Sequence, residues 1–222
     1  MIETLRPGVH ANGARVVLFD FDGTLSLIRT GWVNVMVPQM VGILANLKTG
    51  ETEAELQKLV EDFVARLTGK ETIYQMMELA EQVRLRGGQP EDPKVYKKMY
   101  LDALHEVIKD RLEDLRTGKT SPEAHLVPGS RALLEELKSR GLKMYLASGT
   151  DHDNVVEEAK LLDVYHYFDG GVFGALDDLP DQQCLRELGQ VVESAKDAAV
   201  EVVIYIEKFG LFDDIVVVGT AG

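Results

Sequence analysis

One cysteine, Cys184, occurs in 222 residues. That excludes an internal disulfide and any cysteine-based metal cluster, and it fits a reducing cytoplasm. The five histidines, His10, His105, His125, His152 and His166, show no spacing suited to a shared metal ion. Positive charge is scarce: 24 Lys and Arg stand against 37 Asp and Glu, a formal net charge of -13. A field of that sign repels polyanions, which argues against a nucleic-acid or anionic-membrane partner. No apolar run approaches the roughly 20 residues needed to span a bilayer. The opening MIETLRPGVHANGARVV lacks the basic and then apolar stretches of a secretion signal. Internal repeats and low-complexity tracts are also missing. The expectation is a soluble cytoplasmic protein.

What is present is 45% hydrophobic residues, enough for one domain with a sizeable core or a core carrying a smaller insert. RVVLF (15–19) is short and β-branched, and reads as a buried parallel strand. Between about 28 and 124 the pattern becomes helical. TEAELQKLVEDFVARLTG places apolar residues at 56, 59, 60, 63, 64 and 67 on one stripe, closed by Gly69. ETIYQMMELAEQVRLRGG repeats the arrangement and ends at Gly87-Gly88. A third long helix has Pro93 in its first turn and Gly118 at its end. After SPEAHLVPGS the alternation of strand and helix returns. GSRALLEELKSRG is a helix, LKMYLASGT a strand breaking into a small-residue turn, DHDNVVEEAKLLDV a helix and GGVFG a short strand. Residues 182–208 read as mostly helical, and DDIVVVG as a last strand. This order predicts an α/β fold: a Rossmann-like parallel sheet core (1–27 and 125–222) with an inserted all-α subdomain (28–124).

In VVLFDFDGTLS a strand apolar on both faces ends in two acids, Asp20 and Asp22. Burying adjacent carboxylates without a partner is costly, so a cation is the expected companion. In an open parallel sheet, ligands sit beyond the carboxyl ends of the strands. Asp20, Asp22 and Ser148 of LASGT all fall there. Gly149 lets backbone approach a ligand closely, and a helix opening near Asp151 points free N–H groups at an anion. Two carboxylates, a hydroxyl and a helix N-terminus suit a divalent cation with a phosphate; Mg2+ prefers such oxygen donors.

DFDGTLS resembles the first motif of the haloacid dehalogenase-like superfamily, D-x-D-G-T, and YLASGT resembles its second, a strand ending in Ser or Thr. The likeness extends to a helical cap after the first motif and the LVPGS re-entry, as in the phosphoglycolate phosphatase and β-phosphoglucomutase branch. It implies phosphoryl transfer through an aspartyl-phosphate, with Asp20 as nucleophile and Asp22 as general acid and then base. Ser148 would hold a phosphoryl oxygen, with Phe21, Thr24 and Gly149 also at the phosphate. Mg2+ would sit on the Asp20 side chain and the Asp22 backbone carbonyl. Lys196 of ESAKDAA is the candidate for the third-motif lysine. LTGKETIYQ (67–75) resembles the cap's substrate-specificity loop, so Lys70, Thr72 and Gln75 would face the substrate, with Arg29 and Trp32 lining the same cleft. The fourth motif departs from the family: Thr220 follows IVVVG where an acid is usual. A hydroxyl there implies weak metal binding and low activity, unless Asp177, Asp178 or water completes the shell. The chain also stops before the usual next strand, which would leave 215–219 as an apolar sheet edge. The implied substrate is a small phosphorylated metabolite. The alternatives are a β-phosphoglucomutase-like phosphomutase and a catalytically silent phosphate-binding or regulatory protein.

Overall fold

The computed structural model describes residues 14–175, 201–205 and 216–218. Its organising element is β1 (Ala14–Phe19), on which Val17 and Phe19 are buried and Val16 and Leu18 half-buried. β1 lies between two parallel neighbours, β2 (Lys143–Asp151) and β4 (Glu201–Tyr205), and β3 (Gly171–Ala175) pairs parallel to β2. The sheet order is β3-β2-β1-β4-β5, with β5 (Val216–Val218) at the edge.

Three details correct the sequence reading. β2 does not break at its small-residue turn; it runs on through Gly149 to Asp151, with a register shift against β3 between Ala147 and Asp151. Within the stretch read as helical, 201–205 forms a strand, because Val202, Val203 and Ile204 put β-branched side chains in succession. β5 runs antiparallel to β4, so the sheet is mixed. The ten residues between those strands are too few for the crossover a parallel pair needs.

Between β1 and β2 the described chain is helical. α1 (Val33–Ala45), α2 (Glu53–Leu67), α3 (Thr72–Leu85) and α4 (Pro93–Arg116) pack on one another. α2 opens with a reciprocal cap between Thr52 and Glu55, and α4 with the Asp92 carboxylate accepting from the Lys94 N–H ahead of its apolar stripe. The chain leaves the sheet and returns to it side by side. Leu27 N–H donates to the His125 carbonyl (2.8 Å) and Val127 N–H to that of Leu25 (2.9 Å). This pairing turns four helices into an insertion hung from one point of the sheet. α5 (Ser130–Ser139) precedes β2, and α6 (His152–Leu161) follows it directly and packs against α4. No helix among the described residues is long and apolar enough to cross a membrane.

Candidate active site

The turn after β1 builds the first wall. The Phe21 carbonyl accepts from the N–H groups of Thr24 (3.3 Å), Leu25 (2.9 Å) and Ser26 (2.9 Å). Gly23 takes φ +81° to close that loop, a conformation costly for other residues. Phe21 is fully buried, which anchors the turn and leaves its flanking acids, Asp20 and Asp22, at the end of the sheet. Thr24 Oγ1 donates to Asp20 Oδ2 (3.1 Å), and the Phe21 N–H also donates to the Asp20 carboxylate.

The second wall is the end of β2. Alternation along a strand points residues 148 and 150 the same way, and both hydroxyls meet one oxygen: Thr150 Oγ1 donates to Asp22 Oδ2 at 2.7 Å, with Ser148 Oγ at 3.5 Å. The Thr150 N–H donates to Ser148 Oγ (3.1 Å). Asp22 Oδ1 is buried and has no hydrogen-bond partner among the described residues. Burial, then the Asp22 carboxylate, pushes Asp20 up to about 7, against the lowering effect of the Phe21 N–H and the Thr24 hydroxyl. Two carboxyls held this close oppose one another's ionisation, and a cation would offset that cost.

Chemistry of the donors fits a hard divalent ion. No cluster of three or more His, Cys, Asp or Glu suited to a metal occurs among the described residues. Mg2+ is commonly held by one or two carboxylates, backbone carbonyls, waters and substrate phosphate, a set to which the Asp20 side chain and the Asp22 carbonyl would contribute.

The helical insertion reaches the end of β2. Gly149 lies against the loop between α2 and α3: a Cβ there would sit 2.8 Å from the Lys70 carbonyl oxygen. The loop that resembles a specificity loop therefore rests on the residue between the two hydroxyls. Lys70 itself is exposed, with Nζ 5.9 Å from the Tyr74 ring centroid. Gln75 is buried on α3 and Trp32 is half-buried against the core.

Arg29 differs from the expectation of a cleft-lining cation. It is buried, and its Nη2 and Nε donate to Glu158 Oε1 of α6 at 2.7 and 3.0 Å. Burial opposes its charge, but Glu158 and Asp22 together raise its pKa further. The guanidinium is committed to a structural pair, which suits its fixed planar fork.

Several residues near the site carry no motif. Lys97 of α4 is buried and donates to Asp151 Oδ1 (2.6 Å) at the head of α6. Tyr100, one turn on, is buried within the fields of Arg29 and Asp22, and burial raises its phenol well above the usual range. The two-residue spacing of Thr150 from Ser148 signals a shared face only once the strand is known to continue through Gly149; Lys97 and Tyr100, within an amphipathic helix, gave no signal. Lys196, Asp177, Asp178 and Thr220 lie outside the described residues.

A family model for haloacid dehalogenase-like hydrolases matches residues 14–207. No curated protein sequence matches the chain. Among solved structures, a predicted phosphoglycolate phosphatase from Haemophilus somnus 129PT superposes with a TM-score of 0.51 at 13% identity, covering 88% of this chain and 77% of that one. A variant of CbbY from Rhodobacter sphaeroides, in complex with xylulose-(1,5)bisphosphate, gives 0.48 at 16% identity over 91% and 90%. A provisionally named β-phosphoglucomutase from Thermotoga maritima gives 0.46 at 21% identity over 86% and 74%. At 13% identity, the likeness to the first of these is one of fold.

Proposed function

Because the chain belongs to the haloacid dehalogenase-like hydrolase family, we propose that it hydrolyses a small phosphomonoester, with Mg2+, through an aspartyl-phosphate on Asp20. One observation carries this reading. Asp20 and Asp22 leave β1 side by side, and Asp22 meets the Ser148 and Thr150 hydroxyls that end β2. Carboxylates and hydroxyls thus converge beyond the strand ends of the sheet, where an open α/β fold takes its ligand.

In the first half-reaction an Asp20 oxygen attacks phosphorus in line. The new O–P bond forms as the ester P–O bond breaks, and the departing oxygen keeps the electron pair and takes a proton from Asp22. In the second, Asp22 takes a proton from water, whose oxygen attacks the same phosphorus. The acyl-phosphate P–O bond breaks, returning Asp20 as carboxylate and releasing inorganic phosphate. Ser148 and the Phe21 and Gly149 backbone would steady the phosphoryl oxygens, with Lys196 balancing their charge. The Asp20 side chain and the Asp22 carbonyl would hold Mg2+, which when bound offsets the negative charge shared by nucleophile and phosphate. A net charge of -13 disfavours polyanionic substrates and supports a small metabolite. The cysteine-poor composition supports a cytoplasmic site of action.

The test is phosphate release from a panel of phosphomonoesters with MgCl2, repeated after EDTA and with Asp20→Asn. Loss of turnover in both controls is expected. Undiminished release by Asp20→Asn would overturn the assignment of the nucleophile.

A further inference from the structure

The geometry points to Thr150 as the residue that positions the Asp22 side chain for its part in the reaction. This rests on the phosphatase reading above and assigns a division of labour within it. Asp22 Oδ2 is tied at 2.7 Å to Thr150 Oγ1 and faces Ser148 Oγ at 3.5 Å. Oδ1 is buried, with no partner among the described residues. The Thr150 hydroxyl on Oδ2 fixes the orientation of the carboxyl group.

The hydroxyl is itself held in place. β2 continues through Thr150 and loses its regular register with β3 between Ala147 and Asp151, where a strand can re-aim its side chains. The Thr150 N–H is engaged by Ser148 Oγ (3.1 Å), and the Lys70 carbonyl presses on Gly149 between the two residues. Seating of the helical insertion on Gly149 thereby fixes the backbone from which the Asp22 partner projects. Asp22 does not depend on Ser148 alone for its orientation, which frees that hydroxyl for a phosphoryl oxygen.

Thr150→Val keeps the side-chain shape and deletes the donor. The discriminating measurement is kcat/KM for two substrates: the best alkyl phosphate of the panel, whose leaving oxygen needs a proton, and 4-nitrophenyl phosphate, whose leaving group does not. Because kcat/KM covers steps only through phosphoryl transfer to Asp20, later hydrolysis drops out. Expected is a fall of about 10- to 100-fold on the alkyl ester, as for a lost hydrogen bond to an ionisable group, and no more than about threefold on the aryl ester. Thr150→Ser should restore the alkyl rate, and in an Asp22→Ala background Thr150→Val should add nothing. Thr150→Ala carries the same expectation should the valine variant not fold. Equal losses on both esters, or a full additional loss in the Asp22→Ala background, would overturn the role given to Thr150. Wild-type turnover that survives Asp20→Asn would instead sink the phosphatase reading beneath it.

Discussion

Asp20 carries an electrostatic cost that can be measured without any substrate. Its carboxyl ionises near 3.8 ordinarily and near 7 in the folded, metal-free protein, through burial and the neighbouring Asp22. A raised acid pKa contributes stability below the unfolded value and loses it as pH climbs through the folded one. The difference, about 7 less 3.8, spans about 3 units and bounds the effect at about 4 kcal/mol. The metal-free protein should therefore lose stability between pH 4 and pH 8. Asp20→Asn, which cannot ionise, should melt about 5 °C or more above wild type at pH 8. The two should converge near pH 4, while Asp20→Asn has no turnover. MgCl2 should raise the wild-type Tm more at pH 8 than at pH 5.5, since the cation takes the ionised form. Thermal melts of both proteins across pH settle all three points. The two acids and Ser148 were legible in sequence because each follows an apolar run of strand. Thr150 was not, since Ser-Gly-Thr reads locally as a turn, whereas β2 runs through it between pairings with β3 at Ala147 and Asp151. The Arg29–Glu158 pair was not legible for a related reason: the two residues lie 129 apart, and nothing local announces a buried pair.

At the scale of elements, the insertion is joined to the core by contacts of different kinds. Gly149 is a matter of space: a methyl group there would lie 2.8 Å from the Lys70 carbonyl oxygen, and backbone on both sides leaves little to yield. Gly149→Ala should lift the loop between α2 and α3 from β2. Faster hydrogen exchange across 67–72 and a kcat/KM lowered by about 10-fold or more are expected. Wild-type exchange in that loop would show that it does not rest there. The Arg29–Glu158 pair is a matter of charge, with side chains only 10% and 3% exposed. Arg29→Met strands the Glu158 carboxylate and should cost about 3–5 kcal/mol, read by urea denaturation. Arg29→Met with Glu158→Leu should recover most of it, because two apolar side chains need no counter-charge. The helices were legible because they carry their own signals, such as the Thr52 and Asp92 caps. β4 was not: apolar β-branched residues flanked by charged ones satisfy either period over five residues, and pairing with β1 decides.

For the molecule as a whole, the net charge of -13 opposes the reaction that its strand ends support. A phosphomonoester dianion must approach an acidic body, and the proposed site adds two carboxylates at its floor. Ion pairs such as Arg29–Glu158 and Lys97–Asp151 are internally neutral and do not offset that field. Repulsion between exposed charges is screened over a length that shrinks from about 20 Å near 20 mM salt to about 8 Å near 150 mM. Added KCl should therefore assist substrate capture at fixed free Mg2+ and pH. We expect kcat/KM for a small phosphomonoester to rise by about twofold between those salt concentrations, with kcat unchanged because chemistry follows capture. The outcome that would sink this expectation is a kcat/KM that falls with salt. Such a fall would mean that local cations at the crevice, Mg2+ among them, reverse the sign of the field that the substrate meets.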